Sequence, residues 1–136
     1  MQIITNNKRP THLNIINQLL ENSEEIIMCV AFLKNSGLDL FLDRLSNNCI
    51  FFIGTDYYLT EPTAIKKLLR NGHKVYLTKK AKSTFHPKIY YFKHNNDISI
   101  LTGSANITGG GLETNFEVSV LIQTLRILRW TRTLKQ

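Results

Sequence analysis

FHPKIYYF, Phe85–Phe92, divides the chain into two halves that fold by different rules. Its aromatic and β-branched body reads as a strand, but its start carries a histidine and a lysine two residues apart. Side chains at i and i+2 of a strand project to the same face. His86 and Lys88 should therefore point together, with Pro87 turned away. A proline is tolerated only at a strand start or on an edge, so the pair is either a wet strand end or the beginning of a site.

Upstream of this stretch, helical and strand periodicities alternate. Thr11–Asn22 places Leu13, Ile16, Leu19 and Leu20 at helical spacing, with Thr11 after Pro10 as the cap. Glu25–Phe32 is a nearly unbroken apolar run, the pattern of a strand covered on both faces. Asn35-Ser36-Gly37 breaks the chain, and Leu38–Leu45 reads as a short amphipathic helix. Cys49–Ile53 is a second buried strand, ending at Gly54-Thr55-Asp56. Glu61–Leu69 reads as a helix with Thr60 as cap and Pro62 in its first turn, stopped at Asn71-Gly72. Val75–Thr78 is a third strand.

Downstream, the strands Ile89–Phe92, Ile98–Leu101 and Phe116–Ile122 follow with no helix between them. The connector His94–Asp97 is a polar turn. The expectation is an α/β fold with a mixed β-sheet flanked by helices, parallel in its first half and antiparallel or mixed in its second. Thr124–Leu134, with Arg126, Arg129, Arg132 and, just beyond it, Lys135, reads as a closing helix. Trp130 and these arginines form either an ordinary amphipathic face or a dimer or DNA surface.

The 136 residues fit a single domain, with 43% hydrophobic and 20% charged residues. Lys and Arg number 17 against 10 Asp and Glu, a formal charge of +7. Such a balance favours a polyanionic partner, nucleic acid first and an anionic membrane second. Cys29 and Cys49 are far apart in apolar runs and form no metal-ligand pattern, so they read as buried free thiols. The start MQIITNNKRP lacks the apolar core of a signal peptide, and no run is long enough for a membrane span. The reading is a soluble cytoplasmic protein.

Two further stretches could carry chemistry. Leu101–Gly111, LTGSANITGGG, puts Ser104 and Asn106 at i and i+2 after an apolar strand. Its glycines permit close backbone approach to an anion, or they form a simple hairpin loop. Glu117 opens the strand FEVSVLI, where a carboxylate is either solvated or placed to orient a histidine by accepting its Nδ1 hydrogen.

Together these stretches are more specific than any one of them. His86-x-Lys88, Gly103-Ser104-x-Asn106-x-Thr108 and Asn115-x-Glu117 resemble the signature of the phospholipase D superfamily. The nearest flavour is its bacterial nuclease branch, which includes metal-independent restriction endonucleases. Asn35-Ser36-Gly37, Gly54-Thr55-Asp56 and FHPK are also of the kind seen there. The family motif usually carries an aspartate five residues after the lysine; here that position is Lys93, and Asp97 lies in a turn further on. The nuclease branch often uses a downstream glutamate instead, which is Glu117 in this chain.

The resemblance implies His86 as the nucleophile of a phosphohistidine intermediate, held by Glu117. Lys88 and Asn106 bind the non-bridging phosphate oxygens, Ser104 is a further member of that shell, and no metal or other cofactor takes part. Lys79, Lys80 and Lys82, just before FHPK, read as contacts to a phosphate backbone. The family's reaction uses two motif copies and this chain has one. The expectation is a homodimer with the site on its two-fold axis. The partner is DNA, with RNA left open, and a fused or associated recognition or helicase domain would fit a restriction or defence enzyme. The rivals are a lipid phosphodiesterase of the same superfamily and an inactive nucleic-acid-binding module.

Overall fold

The computed structural model describes residues 1–46, 48–79 and 82–124. Its strands are β1 (Gln2–Thr5), β2 (Glu25–Val30), β3 (Ile50–Ile53), β4 (Lys74–Leu77), β5 (Lys88–His94), β6 (Asp97–Gly103) and β7 (Val118–Gln123). They form one 7-stranded sheet in the order β1-β7-β6-β5-β2-β3-β4. β2, β3 and β4 are mutually parallel. β5 runs antiparallel to β2, and β6, β7 and β1 continue antiparallel. The change of rule at FHPKIYYF is thus the change from parallel to antiparallel pairing, and the mixed α/β sheet is as expected.

The helices are α1 (His12–Leu20), α2 (Asn35–Leu38) and α3 (Pro62–Arg70). α1 starts as the sequence predicts. The Thr11 hydroxyl accepts the Asn14 N–H at 3.2 Å, and the Asn14 side chain accepts the Thr11 N–H at 3.0 Å. Its Ile15, Ile16 and Leu20 join Ile26, Met28, Val30, Phe51, Tyr90, Phe92 and Leu101 in a single core with Ala64 and Leu68 of α3. The strand registers put all these sheet residues on one face, and the described helices pack on that face.

Several expectations are corrected. The apolar run of β2 predicts cover on both faces, yet burial alternates along it, with Ile27 and Cys29 only partly buried. Apolar content alone does not reveal which face receives helices. Leu38–Leu45 is not one helix: α2 is a single turn, followed by a 3-10 turn at Leu42–Arg44. Gly37 lies so close to the Ile107–Thr108 backbone that a Cβ there would meet Thr108 N at 2.4 Å, so packing takes precedence over helix extension. The residue capping α3 is Glu61. The Thr60 hydroxyl instead donates to Gly54 O at 2.7 Å and accepts Leu33 N–H at 3.2 Å, joining two loops. Cys29 and Cys49 are free thiols, Cys49 the more buried. The closing helix expected at Thr124–Leu134 lies outside the described residues beyond Thr124, as does Lys80.

Candidate active site

The topology delivers every motif to one end of the sheet. Parallel strands expose their carboxyl ends there, and antiparallel neighbours alternate amino and carboxyl ends. Phe32 follows β2, Asp56 follows β3, His86 precedes β5, Ser104 follows β6 and Glu117 precedes β7. Loops at strand ends are held by a rigid sheet while their side chains stay open to a ligand. The Asn35-Ser36-Gly37 turn closes the same end, where Ser36 Oγ accepts the Gly109 N–H at 3.1 Å.

His86 and Lys88 point together, as their spacing predicts. Lys88 Nζ is 2.6 Å from His86 Nδ1 and 3.0 Å from Nε2, and it donates to the His86 carbonyl at 3.0 Å. The imidazole is exposed, whereas Lys88 is 7% exposed. The Phe32 ring meets the His86 ring edge-on, centroids 6.2 Å apart. Burial pushes the Lys88 ammonium below its ordinary pKa, and the Glu117 carboxylate acts in the opposite direction. Lys93, at the usual aspartate position, sits at the far end of β5, 4.0 Å from Glu25. It takes no part in this site.

Asn106 Oδ1 accepts the Phe32 N–H at 3.1 Å. Because a backbone N–H needs an acceptor, that bond fixes the amide and leaves the Nδ2 donors for a ligand. Asn106 and Glu117 line a cavity of about 380 Å³ together with Phe32, Lys34, Thr108 and Asn115. Gly110–Thr114 forms its far wall as a single π-helical turn, closed by Asn115 N–H to Gly110 O at 2.8 Å. Ser104 Oγ donates to Glu117 and accepts the Val118 N–H at 3.0 Å. The Glu117 carboxylate therefore takes the Ser104 hydroxyl, and no hydrogen bond joins it to His86 among the described residues. Lys79 and Lys82 are exposed on the segment between β4 and His86.

His12 is a residue that sequence reasoning passed over. It is fully buried, with Nδ1 2.7 Å from Asn6 Oδ1 and Nε2 2.8 Å from Ser119 Oγ. Asn6 Oδ1 only accepts, so Nδ1 carries the proton and Nε2 accepts from the serine. Asn6 Nδ2 in turn donates to Gly111 O at 2.8 Å. The network props the strand ends beneath Ser104 and Glu117. Burial lowers the His12 pKa, opposed by Glu117. Its partners lie up to 107 residues away along the chain, and no local spacing signals such a contact. Among the described residues, no cluster of three or more His, Cys, Asp or Glu side chains could hold a metal ion. No helix among them is long and apolar enough to cross a membrane.

A family model described as "Cardiolipin synthase, PLD-like domain" matches residues 2–134. No curated protein matches the chain. Among solved structures, NucT from Helicobacter pylori is similar with a TM-score of 0.63 and 16% identity, over 90% of this chain and 83% of NucT. Yeast tyrosyl-DNA phosphodiesterase gives 0.56 and 15%, over 97% of this chain and 35% of the yeast chain. Polyphosphate kinase from Porphyromonas gingivalis gives 0.66 and 10%, over 98% of this chain and 21% of the kinase. The chain thus spans about a third of the yeast enzyme and a fifth of the kinase. At these identities the likeness is one of fold.

Proposed function

The chain belongs to the PLD-like domain family, and on that premise we propose that it is a metal-independent phosphodiesterase acting on DNA through a phosphohistidine. The observation that carries this reading is the pairing of an exposed imidazole with a buried ammonium, His86 against Lys88, beside Phe32, which lines a cavity with Asn106 and Glu117. The similarity to a tyrosyl-DNA phosphodiesterase, as that protein is titled, supports nucleic acid as the substrate. So does the formal charge of +7.

In the first step a ring nitrogen of His86 attacks phosphorus, a P–N bond forms and the P–O bond to the leaving strand breaks. The leaving oxygen takes a proton from a second imidazole. In the second step water attacks phosphorus, the P–N bond breaks, and that imidazole takes the water proton. The incoming phosphate draws the Lys88 ammonium off the imidazole. Lys88 and Asn106 then meet the charge that grows on the non-bridging oxygens. Ser104 anchors Glu117, whose carboxylate favours the ammonium form of Lys88 and faces the site where His86 becomes cationic. The second imidazole is His86 of a second copy, in a homodimer with the site on its axis. The chain acts as one nuclease domain, and target choice falls to a fused or associated recognition or helicase domain of a restriction or defence enzyme.

The test is cleavage of plasmid and single-stranded DNA in excess EDTA, wild type beside His86→Ala. Wild type is expected to cut and the variant to lose cleavage while keeping DNA affinity. DNA bound but uncut by both proteins would make this a binding module. Hydrolysis of phospholipid vesicles with no DNA cleavage would make it a lipid enzyme.

A further inference from the structure

The loop after β3 presents two tyrosines that the proposed chemistry does not use. Tyr57 and Tyr58 both hold left-handed backbone, with φ of 60° and 54°. Bulky side chains rarely adopt that region, and a strained pair of this kind persists only where the surroundings enforce it. The strain does not serve burial, because the rings are 68% and 97% exposed.

The loop is braced against the candidate site. Asp56 Oδ2 accepts the Phe85 N–H at 3.0 Å, one residue from His86. The Thr55 hydroxyl donates to Thr78 O at 3.2 Å, and the Tyr57 hydroxyl lies 3.4 Å from Thr84 Oγ1. Tyr57, Tyr58, Pro62, Ile65 and Leu77 wall a groove of about 660 Å³, with Thr55, Asp56 and Thr60 supplying its polar edge. Lys79 follows Thr78 and Lys82 lies two residues before Thr84, so exposed cations neighbour along the chain both residues that brace this loop.

We propose that the Tyr57–Tyr58 groove is a base-stacking subsite for single-stranded nucleic acid, taking a nucleotide that flanks the phosphate at His86. A tyrosine face can stack only on a base that is not already stacked in a duplex, so the subsite selects an unpaired strand. Lys79 and Lys82 complement the backbone of that strand. The groove is concave with acceptors along its polar edge, the Asp56 carboxylate and the Thr55 hydroxyl oxygen, which suits the N–H edge of a flat base better than an acyl surface. The inference rests on the phosphodiesterase reading for its substrate, but its test needs no turnover.

The experiment is fluorescence anisotropy with a labelled oligothymidylate and a strand of the same length made of abasic units. The full chain is compared as wild type, Tyr58→Ala and Tyr58→Phe, with thermal melts of all three. Alanine at φ 54° carries much the same backbone penalty as tyrosine, and the ring touches little, so the fold should be unaffected. Tyr58→Ala is expected to weaken oligothymidylate binding about tenfold, to leave the abasic strand within about twofold, and to be rescued by phenylalanine. Equal losses on both strands, no loss on either, no oligonucleotide binding by wild type, or tighter Tyr58-independent duplex binding would each overturn the subsite. So would loss of binding to phosphatidylglycerol-containing vesicles in place of the strand. A base-dependent Tyr58 effect in a protein that fails the EDTA cleavage test would uphold the subsite and reject the nuclease reading.

Discussion

At Lys88 burial and charge pull against each other. Its stem is inside the sheet, its ammonium lies on the His86 ring, and burial lowers its pKa while Glu117 raises it. The carboxylate thus keeps the cation available where solvent cannot. Lys88→Met keeps the stem and removes the charge. On the proposed mechanism it should lower kcat/KM for a DNA substrate by about 10²–10³-fold, the scale of losing one donor to a developing oxyanion. Thermal stability should hold or rise slightly, because a buried charge leaves with it. Steady-state kinetics beside a thermal melt would separate these effects, and a loss of stability with little loss of rate would make Lys88 a structural residue. In Glu117→Gln the carboxylate charge that raises the Lys88 pKa is gone, so the alkaline limb of the pH–rate profile should move to lower pH.

At the level of elements, the strand ends are tied together by imidazoles that resist protonation. Burial lowers the pKa of both His12 and His73 from the ordinary 6.5. His73 Nδ1 accepts the Cys49 N–H at 3.2 Å, a bond that protonation of Nδ1 would remove. Around His12 stand Asn6, Ser119 and, more distantly, Glu117. With folded pKa values below the unfolded one, the unfolded chain binds more protons as pH falls through 6.5. Stability is therefore full above that pH and declines below it, down to the folded pKa. Thermal melts between pH 5 and 8 should show this decline. In His12→Gln the decline should be shallower, even though the variant melts lower throughout; an unchanged slope would mean that His12 is not the neutral group described. The i, i+2 rule found His86 with Lys88, and helical spacing with Thr11 as cap after Pro10 found α1. Gln2–Thr5 escaped because four residues carry too little period to declare a strand, and its partner β7 lies at the far end of the chain. Thr60 looked like a cap because its residue type fits one, yet its hydroxyl answers to Gly54 and Leu33 across a gap that only the sheet closes. Contacts made through topology leave no local mark: the family pattern named Ser104 and Glu117 but paired Glu117 with His86, and not with the Ser104 hydroxyl it takes.

At the scale of the whole molecule, the proposed chemistry asks for two imidazoles, and the 4 histidines of the chain can be placed one by one. His12 is buried with both ring nitrogens engaged. His73 precedes β4 and His94 ends β5, and both positions lie at the end of the sheet opposite His86. Of these only His86 is exposed at the site, so on the proposed mechanism the second imidazole is that of a second copy, and a two-fold axis beside His86 would supply it with a single interface. Apolar surface is available at that end: Phe116, next to Glu117, is 98% exposed, and Val118 and Ile3 are 54% and 56% exposed. An aromatic anchor of this kind carries a large share of an interface's free energy. Phe116→Arg should weaken self-association by about thirtyfold or more, from a loss of about 2 kcal/mol. In sedimentation velocity at graded concentrations the variant should run as a monomer where wild type runs as a dimer. Cleavage per chain should fall in step with the dimer fraction and recover at high protein concentration. A wild-type monomer that cuts DNA at micromolar concentration would remove the shared site, and the second imidazole would have to be replaced by water or by Glu117 as the acid.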